Sequence, residues 1–230
     1  HPLISHARFK WRLSKGKRKS AIEMMLDTSK SKDALGRPEV WGDDRRNIAR
    51  DLVREKSYQK AYKLAANHFM DDGHIYADLE WLSGYIALRH LKKPKVAQLH
   101  FERLMFAVDT PISLGRAYYW LARAYQDQGK SEKAHKAFAQ GAVYQTSFYG
   151  LLSAEEISAP FKYSFHPPKE LPDWRNASFL KSSVFKAAIL LFASGQDVLG
   201  ERFITHIVET LPDNQILQMT HFLEEFKRPH

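Results

Sequence analysis

The histidines and paired acids are the first residues to test for chemistry. The chain has eleven histidines. His68 and His74 flank Asp71 and Asp72, a set of imidazole and hard oxygen ligands. Two residues six apart do not share a helix face, and there is no His-Glu-x-x-His pair to fix a metal. A polar helix stop explains the segment better, so neither metal nor cofactor is expected. Paired carboxylates occur at Glu155–Glu156 and Glu224–Glu225. Neighbouring side chains on a helix diverge by about 100°. Glycoside cleavage by two carboxyls needs them to face each other across a substrate. Each pair therefore reads as surface charge. No Gly-x-Ser-x-Gly, phosphate loop or dinucleotide fingerprint is present, and the sequence contributes no catalytic residue.

One constellation suits binding. Arg116 and Arg123 flank Tyr118, Tyr119 and Trp120. Arginine among aromatic rings binds sugars or nucleic-acid bases by stacking and charge. In the alternative, Tyr119, Trp120 and Leu121 pack between helices while the arginines cap and solvate. Aromatics at helical spacing are more often core. Arg116, Tyr119 and Arg123 are the candidate substrate-binding residues.

The elements that position them are helices. Apolar residues recur at spacings of three and four from Ile48 to Ala65, from Trp81 to Leu88 and from Phe203 to Leu211. Alternating strand patterns are nearly absent; Phe161, Tyr163 and Phe165 alternate with nothing to pair with. Four segments share a breaker, a charged stretch and an alanine that opens an apolar face. Their alanines, Ala21, Ala61, Ala97 and Ala134, lie 40, 36 and 37 residues apart. Gly195 to Gly200 is a looser fifth copy. The set Leu121, Ala122, Tyr125, Gly129, Ala134 and Phe138 has tetratricopeptide spacing. The small residue lets two helices approach, and the aromatic four positions later fills the groove beside it. A lone hairpin cannot bury its own face, so neighbours must stack. The expected fold is all-α, an irregular superhelix or solenoid of such hairpins.

Punctuation refines this layout. Pro111 sits at a helix start, while Asp71-Asp72-Gly73 and Asp127-Gln128-Gly129 read as helix stops. Residues 1–158 form the expected hairpin array. Residues 159–175, which hold Pro160, Pro167, Pro168 and Pro172, form an extended connector. Residues 176–230 supply further helices of the same superhelix, of which Val184–Ala193 reads as apolar almost all round and buried.

Composition agrees with a folded chain. The 230 residues are 44% hydrophobic and 13% aromatic, too rich for disorder. The longest apolar run, Ala187–Ala193, is seven residues, far short of the roughly 20 that cross a membrane. The absence of cysteine removes disulfides, thiol catalysis and cysteine zinc sites. A net charge of +9 favours anionic partners. The basic run Lys10–Lys19 reads as a solvated face, and nucleic acid ranks well behind other anions. The opening His1-Pro2-Leu3-Ile4-Ser5 lacks the pattern of a signal peptide, and a trimmed segment of a longer protein is expected.

Several motifs in order carry a family resemblance. They begin with Trp41-x-x-Asp44-Arg45-Arg46, Ala49-Arg50-x-Leu52 and Ala61-Tyr62-x-Leu64-Ala65. Glu80-Trp81-Leu82-Ser83-Gly84-Tyr85-Ile86-Ala87-Leu88-Arg89 and Ala97-x-x-His100-Phe101-x-x-Leu104 follow. The most specific part is Pro111-Ile112-Ser113-x-x-Arg116-Ala117-x-Tyr119-Trp120-Leu121-Ala122-Arg123-Ala124, closed by Ser147-Phe148-Tyr149-Gly150-Leu151-Leu152. Over about residues 40 to 156 the chain resembles the superhelical region of soluble lytic murein transglycosylases. Leu151 stands where that family often has glutamine, and Tyr85 where it often has tryptophan. The Glu-Ser and Gly-Leu-Met-Gln motifs of its catalytic domain are missing.

The resemblance implies a periplasmic enzyme that cleaves the MurNAc–GlcNAc bond of peptidoglycan and leaves a 1,6-anhydro product. It implies that the catalytic glutamate lies in a domain beyond His230. The present segment would be a scaffold that positions glycan strands and docks that domain. Trp41, Arg45, Arg46, Trp81, Gly84, Trp120, Phe148, Tyr149 and Gly150 are the matched motif positions, carried over as structural. An alternative open at this stage is a tetratricopeptide-like adaptor that binds a protein partner.

Overall fold

The computed structural model describes residues 2–161 and 170–226. Tyr163, Phe165, Pro167 and Pro168, and with them most of the predicted alternation and part of the predicted connector, lie outside the described residues. The described residues are helical, with no strand among them. The chain divides into two compact units, His1–Lys162 and Tyr163–His230.

In the first unit, α1 (Pro2–Ser14) pairs with α2 (Arg18–Thr28), and a short α3 (Lys32–Leu35) leads through a 3₁₀ turn (Pro38–Trp41) into α4 (Gly42–Arg54). α4 pairs with α5 (Tyr58–Ala66). α6 (Gly73–Tyr85) continues into a π turn (Ile86–His90) and packs on α7 (Pro94–Phe106). α8 (Pro111–Gln126) pairs with α9 (Ser131–Gly141), and α10 (Phe148–Glu156) lies against both. In the second unit, α11 (Ser183–Ala193) pairs with α12 (Asp197–Val208) and α13 (Asp213–Glu225) follows.

The breakers read from sequence have a common backbone cause. Gly16, Lys56, Lys92, Gly129 and Gly195 all take positive φ, between 55° and 76°. At four of them the chain closes in the same pair of bonds, a Schellman turn. Lys56 N–H donates to Val53 C=O at 3.0 Å while Ser57 N–H donates to Leu52 C=O at 2.8 Å. Gly16–Lys17, Gly129–Lys130 and Gly195–Gln196 repeat this pattern. At Lys92 the π turn adds one residue, and Lys93 N–H reaches Ala87 C=O at 2.8 Å, six residues back. Five residues after each breaker the small side chain is buried: Ala21, Ala61 and Ala97 at 0%, Ala134 at 2%. The fifth copy has Gly200 for a steric reason. A Cβ there would sit 2.5 Å from the Phe192 ring. Phe101 and Phe138 are buried beside their alanines.

The motif positions hold this packing together. Trp41 is fully buried and donates its indole N–H to Leu35 C=O at 3.3 Å. Arg45 is fully buried with no carboxylate partner among the described residues, and burial lowers its pKa to about 10. It donates to Leu64 C=O and to Ser29 Oγ, both at 2.6 Å, and so ties α4 to α5 and α2. A Cβ on Gly84 would fall 2.5 Å from Phe101, so glycine is what lets α6 and α7 cross.

Two expectations need correction. Asp71-Asp72-Gly73 does not stop a helix. α5 has already ended at Ala66, and Gly73, at φ +89°, opens α6. α11 is not buried all round either: Phe185, Ala188 and Phe192 face the core while Leu190 is 71% exposed. The described part of the proline-rich segment has no α-helix. Trp174 from it packs edge-on against Phe222 at 5.0 Å and donates to Glu225 at 3.1 Å.

Candidate ligand-binding face

On α8, Arg116, Tyr119, Trp120 and Arg123 fall at i, i+3, i+4 and i+7, which is one helix face. Thr110 starts the helix by accepting from Ser113 N–H at 3.4 Å, with Pro111 in its first turn. α6 brings Asp78, Trp81 and Tyr85 beside this face, α4 brings Arg46 and Arg50, and α10 brings Tyr149 and Glu156.

The rings form a continuous band. Trp81 stacks on Tyr85 at 5.4 Å, and Tyr85 meets Trp120 edge-on at 5.2 Å. Tyr119 touches Trp120 at 5.5 Å and Tyr149 at 5.4 Å. Phe148, 69% exposed, extends the band beyond Tyr149 at 5.2 Å. Trp120 is buried, whereas Trp81, Tyr85, Tyr119 and Tyr149 keep part of their surface in water. Trp120 and Leu121 are core, and Tyr119 is partly exposed. Burial is also the main reason the Tyr119 hydroxyl is shifted above its ordinary pKa.

The arginines lie along this band. The Arg116 guanidinium sits over the Trp81 ring at 5.4 Å, and Arg123 over Tyr119 at 5.9 Å. Arg116 faces Asp78 Oδ1 at 3.9 Å, while Arg46 holds Asp78 Oδ2 at 2.9 Å and Arg50 approaches it at 4.0 Å. Arg123 pairs with Glu156 at 2.8 Å. Three arginines thus converge on one carboxylate at the α4 end. Such a surface offers flat apolar platforms for sugar rings and spare guanidinium donors for anions.

A second polar group is closed to ligands. Glu80 is 2% exposed and lies between His68 at 4% and His100 at 5%. Met70 N–H donates to His68 Nδ1 at 3.0 Å, so the proton is on Nε2, which donates to Glu80 Oε1 at 3.1 Å. His100 Nδ1 donates to Glu80 Oε2 at 2.5 Å, and Tyr62 lies 3.1 Å from His100 Nε2. Arg103 stands 3.6 Å from Oε1. Burial by itself would raise the Glu80 pKa; the His100 and His68 hydrogen bonds overrule it and hold the carboxyl at about 2. The knot fastens the segment after α5 and helix α7 onto α6.

Sequence reasoning did not assemble this knot. Its only sequence signal is a lone acid inside the apolar stretch Leu79–Leu82. The histidines and aspartates around Asp71 have separate surroundings: His68 is spent on Glu80, His74 is exposed, and Asp71 pairs with Lys32. Among the described residues no three His, Asp or Glu side chains are arranged to hold a metal ion. Glu225 accepts hydrogen bonds from the Trp174 indole at 3.1 Å and from Arg175 at 3.0 Å. Among the described residues no helix is long and apolar enough to cross a membrane. No protein-family profile matches the chain, and no curated protein or solved structure matches it.

Proposed function

We propose that this chain is the non-catalytic helical scaffold of a periplasmic lytic transglycosylase, and that its α8 face holds peptidoglycan glycan strands for a catalytic domain outside the chain. In this reading the hairpins stack as an irregular tetratricopeptide-like solenoid. The observation that carries it is the α8 face itself. Arg116, Tyr119 and Arg123 share one side of the helix, with the half-buried rings of Trp81, Tyr85 and Tyr149 beside them. Stacking platforms next to cations suit a polymer of sugar rings that carries carboxylates. The net charge of +9 draws such a polymer in at modest ionic strength. The ordered motifs from Trp41 to Gly150 add the resemblance.

Sedimentation with purified murein sacculi tests this. The chain is expected to pellet with sacculi at low salt and to be released as salt rises. Arg116→Gln with Arg123→Gln is expected to weaken binding about tenfold, equivalent to about 1.4 kcal/mol. A chain that stays in the supernatant at low salt, or a double variant that binds as well as the parent, contradicts the reading.

The Tyr125, Gly129, Ala134 and Phe138 pattern, together with the exposed apolar Val143, Phe148 and Leu151, supports a second reading as a protein-binding adaptor. Under it the chain captures an apolar peptide and ignores sacculi.

A further inference from the structure

We propose that the edge of the first unit formed by its four hairpin turns, with the adjoining exposed face of α1, docks on a membrane surface of anionic lipids. The positive charge of the chain is concentrated on that edge. The five residues from each breaker to the one before its alanine are 16–20, 56–60, 92–96 and 129–133. They carry +3, +2, +3 and +1, which equals the net +9 of the whole chain, so the remaining residues sum to zero. The turns also touch in order. Arg18 of the first pairs with Glu55 beside the second at 2.8 Å. Tyr58 of the second stacks on His90 beside the third at 4.0 Å. Gln128 beside the fourth donates to Pro94 C=O of the third at 3.3 Å. Lys93, Lys95 and Lys130 share an open groove of about 460 Å³ between the third and fourth turns, which Asp127 also lines.

Helix stability does not explain these cations. α2, α5 and α7 have no acid in their first turn, yet Lys19, Lys60 and Lys95 stand there. A cation at a helix N-terminus opposes the helix dipole, and a local conflict of this kind marks a functional surface. Among the described residues, the lysines that pair with acids are Lys10, Lys32 and Lys136, none of which belongs to the four stretches. The charges there are nine lysines and Arg18 against Glu132. Lysine is a compact, hydrated point charge that suits a diffuse anionic surface, whereas arginine reads single phosphates or bases in bidentate fashion. The rings on the edge are engaged: Tyr58 lies on His90, and Lys130 and Lys133 lie over Tyr125. Stacking platforms for nucleic-acid bases are therefore not offered.

The lipid assignment rests on α1, which runs directly into the first turn. Ile4, Arg8, Trp11, Arg12 and Lys15 share one helix face. Ile4 is 59% and Trp11 52% exposed, and Lys17 sits over the Trp11 ring at 5.1 Å. Exposed apolar side chains bordered by basic ones are the pattern of a helix lying in a headgroup layer, and tryptophan settles at that level.

Co-sedimentation of the full chain with lipid vesicles tests the proposal. The chain is expected to pellet with vesicles of mixed phosphatidylglycerol and phosphatidylcholine, to ignore phosphatidylcholine alone and to be released by salt. Each lysine at such a surface is worth about fivefold in affinity. Glutamine at Lys19, Lys60, Lys93 and Lys95 together is thus expected to weaken binding about a hundredfold. The same change at Lys10, Lys30, Lys181 and Lys186 alters net charge equally and should cost less than about fivefold. Trp11→Ser is expected to cost about tenfold. No binding to the anionic vesicles, equal binding to both vesicle types, or equal losses in the two fourfold variants overturns the proposal. Release from the vesicles by duplex DNA at matched phosphate concentration overturns the lipid assignment and makes nucleic acid the ligand of the edge.

Discussion

Glu80→Ala is expected to remove about 3 to 5 kcal/mol from the first unit, because it strands two buried imidazole N–H donors, at about 1 to 3 kcal/mol each, and leaves a gap where the side chain was. The substitution leaves His68 Nε2 and His100 Nδ1 facing an apolar gap and leaves Arg103 without its acid. The same carboxylate governs acid stability, and the sign follows from its shift. Its folded pKa is about 2, below its ordinary value of 4.5. The stabilisation is therefore complete above pH 4.5 and is lost as pH falls toward 2. Linkage puts it at about 3 kcal/mol. Urea unfolding at a series of pH values measures it. The parent should lose this stability between pH 4.5 and 2, and Glu80→Gln should be weaker at neutral pH with a flatter acid limb. An acid limb in Glu80→Gln as steep as in the parent contradicts the assignment.

Gly150→Ala has the second large effect. A Cβ at this position would fall 1.8 Å from the Tyr144 carbonyl oxygen and 2.3 Å from its carbon. Those atoms are backbone, so no rotamer relieves the clash and α10 must move off the turn before it. Overpacking of this kind costs about 3 kcal/mol. At about 3 °C per kcal/mol for a chain of this size, the first unit should melt about 9 °C lower. Tyr149 travels with α10, so the band loses the ring that Tyr119 leans on, and sacculus binding should fall too. Gly129→Ala is the comparison. There the added Cβ meets nothing within 4 Å and only the φ of +71° is strained, a cost of about 1 kcal/mol. Equal melting temperatures for the two variants would contradict the steric account.

How much of this was visible in the sequence depends on the distance over which each feature is encoded. The hairpin turns were legible because breaker and buried alanine lie within five residues of each other. At Lys56 and Lys92 the left-handed residue is not glycine, yet the spacing to Ala61 and Ala97 still marked the turn. The arginine and aromatic face was legible because its centre lies within eight residues of one helix. Its neighbours were not, because Asp78, Tyr149 and Glu156 come from other helices. Glu80 was missed for the same reason: His68 is 12 residues before it and His100 is 20 after it. Asp71-Asp72-Gly73 misled because aspartates followed by glycine serve equally at either end of a helix. Leu190 misled because a helix rich in apolar residues still packs on one side when only one side has neighbours.

The five tryptophans report most directly on glycan binding at the α8 face. Each gives one indole N–H signal in a nitrogen–proton spectrum, and single Trp→Phe variants assign them. Titration with the soluble GlcNAc–MurNAc tetrasaccharide should shift Trp81 and Trp120, which lie in the band, and leave Trp41 and Trp174 in place. Shifts confined to Trp11, Trp41 or Trp174, or no shift at saturating ligand, would contradict glycan binding on the α8 face.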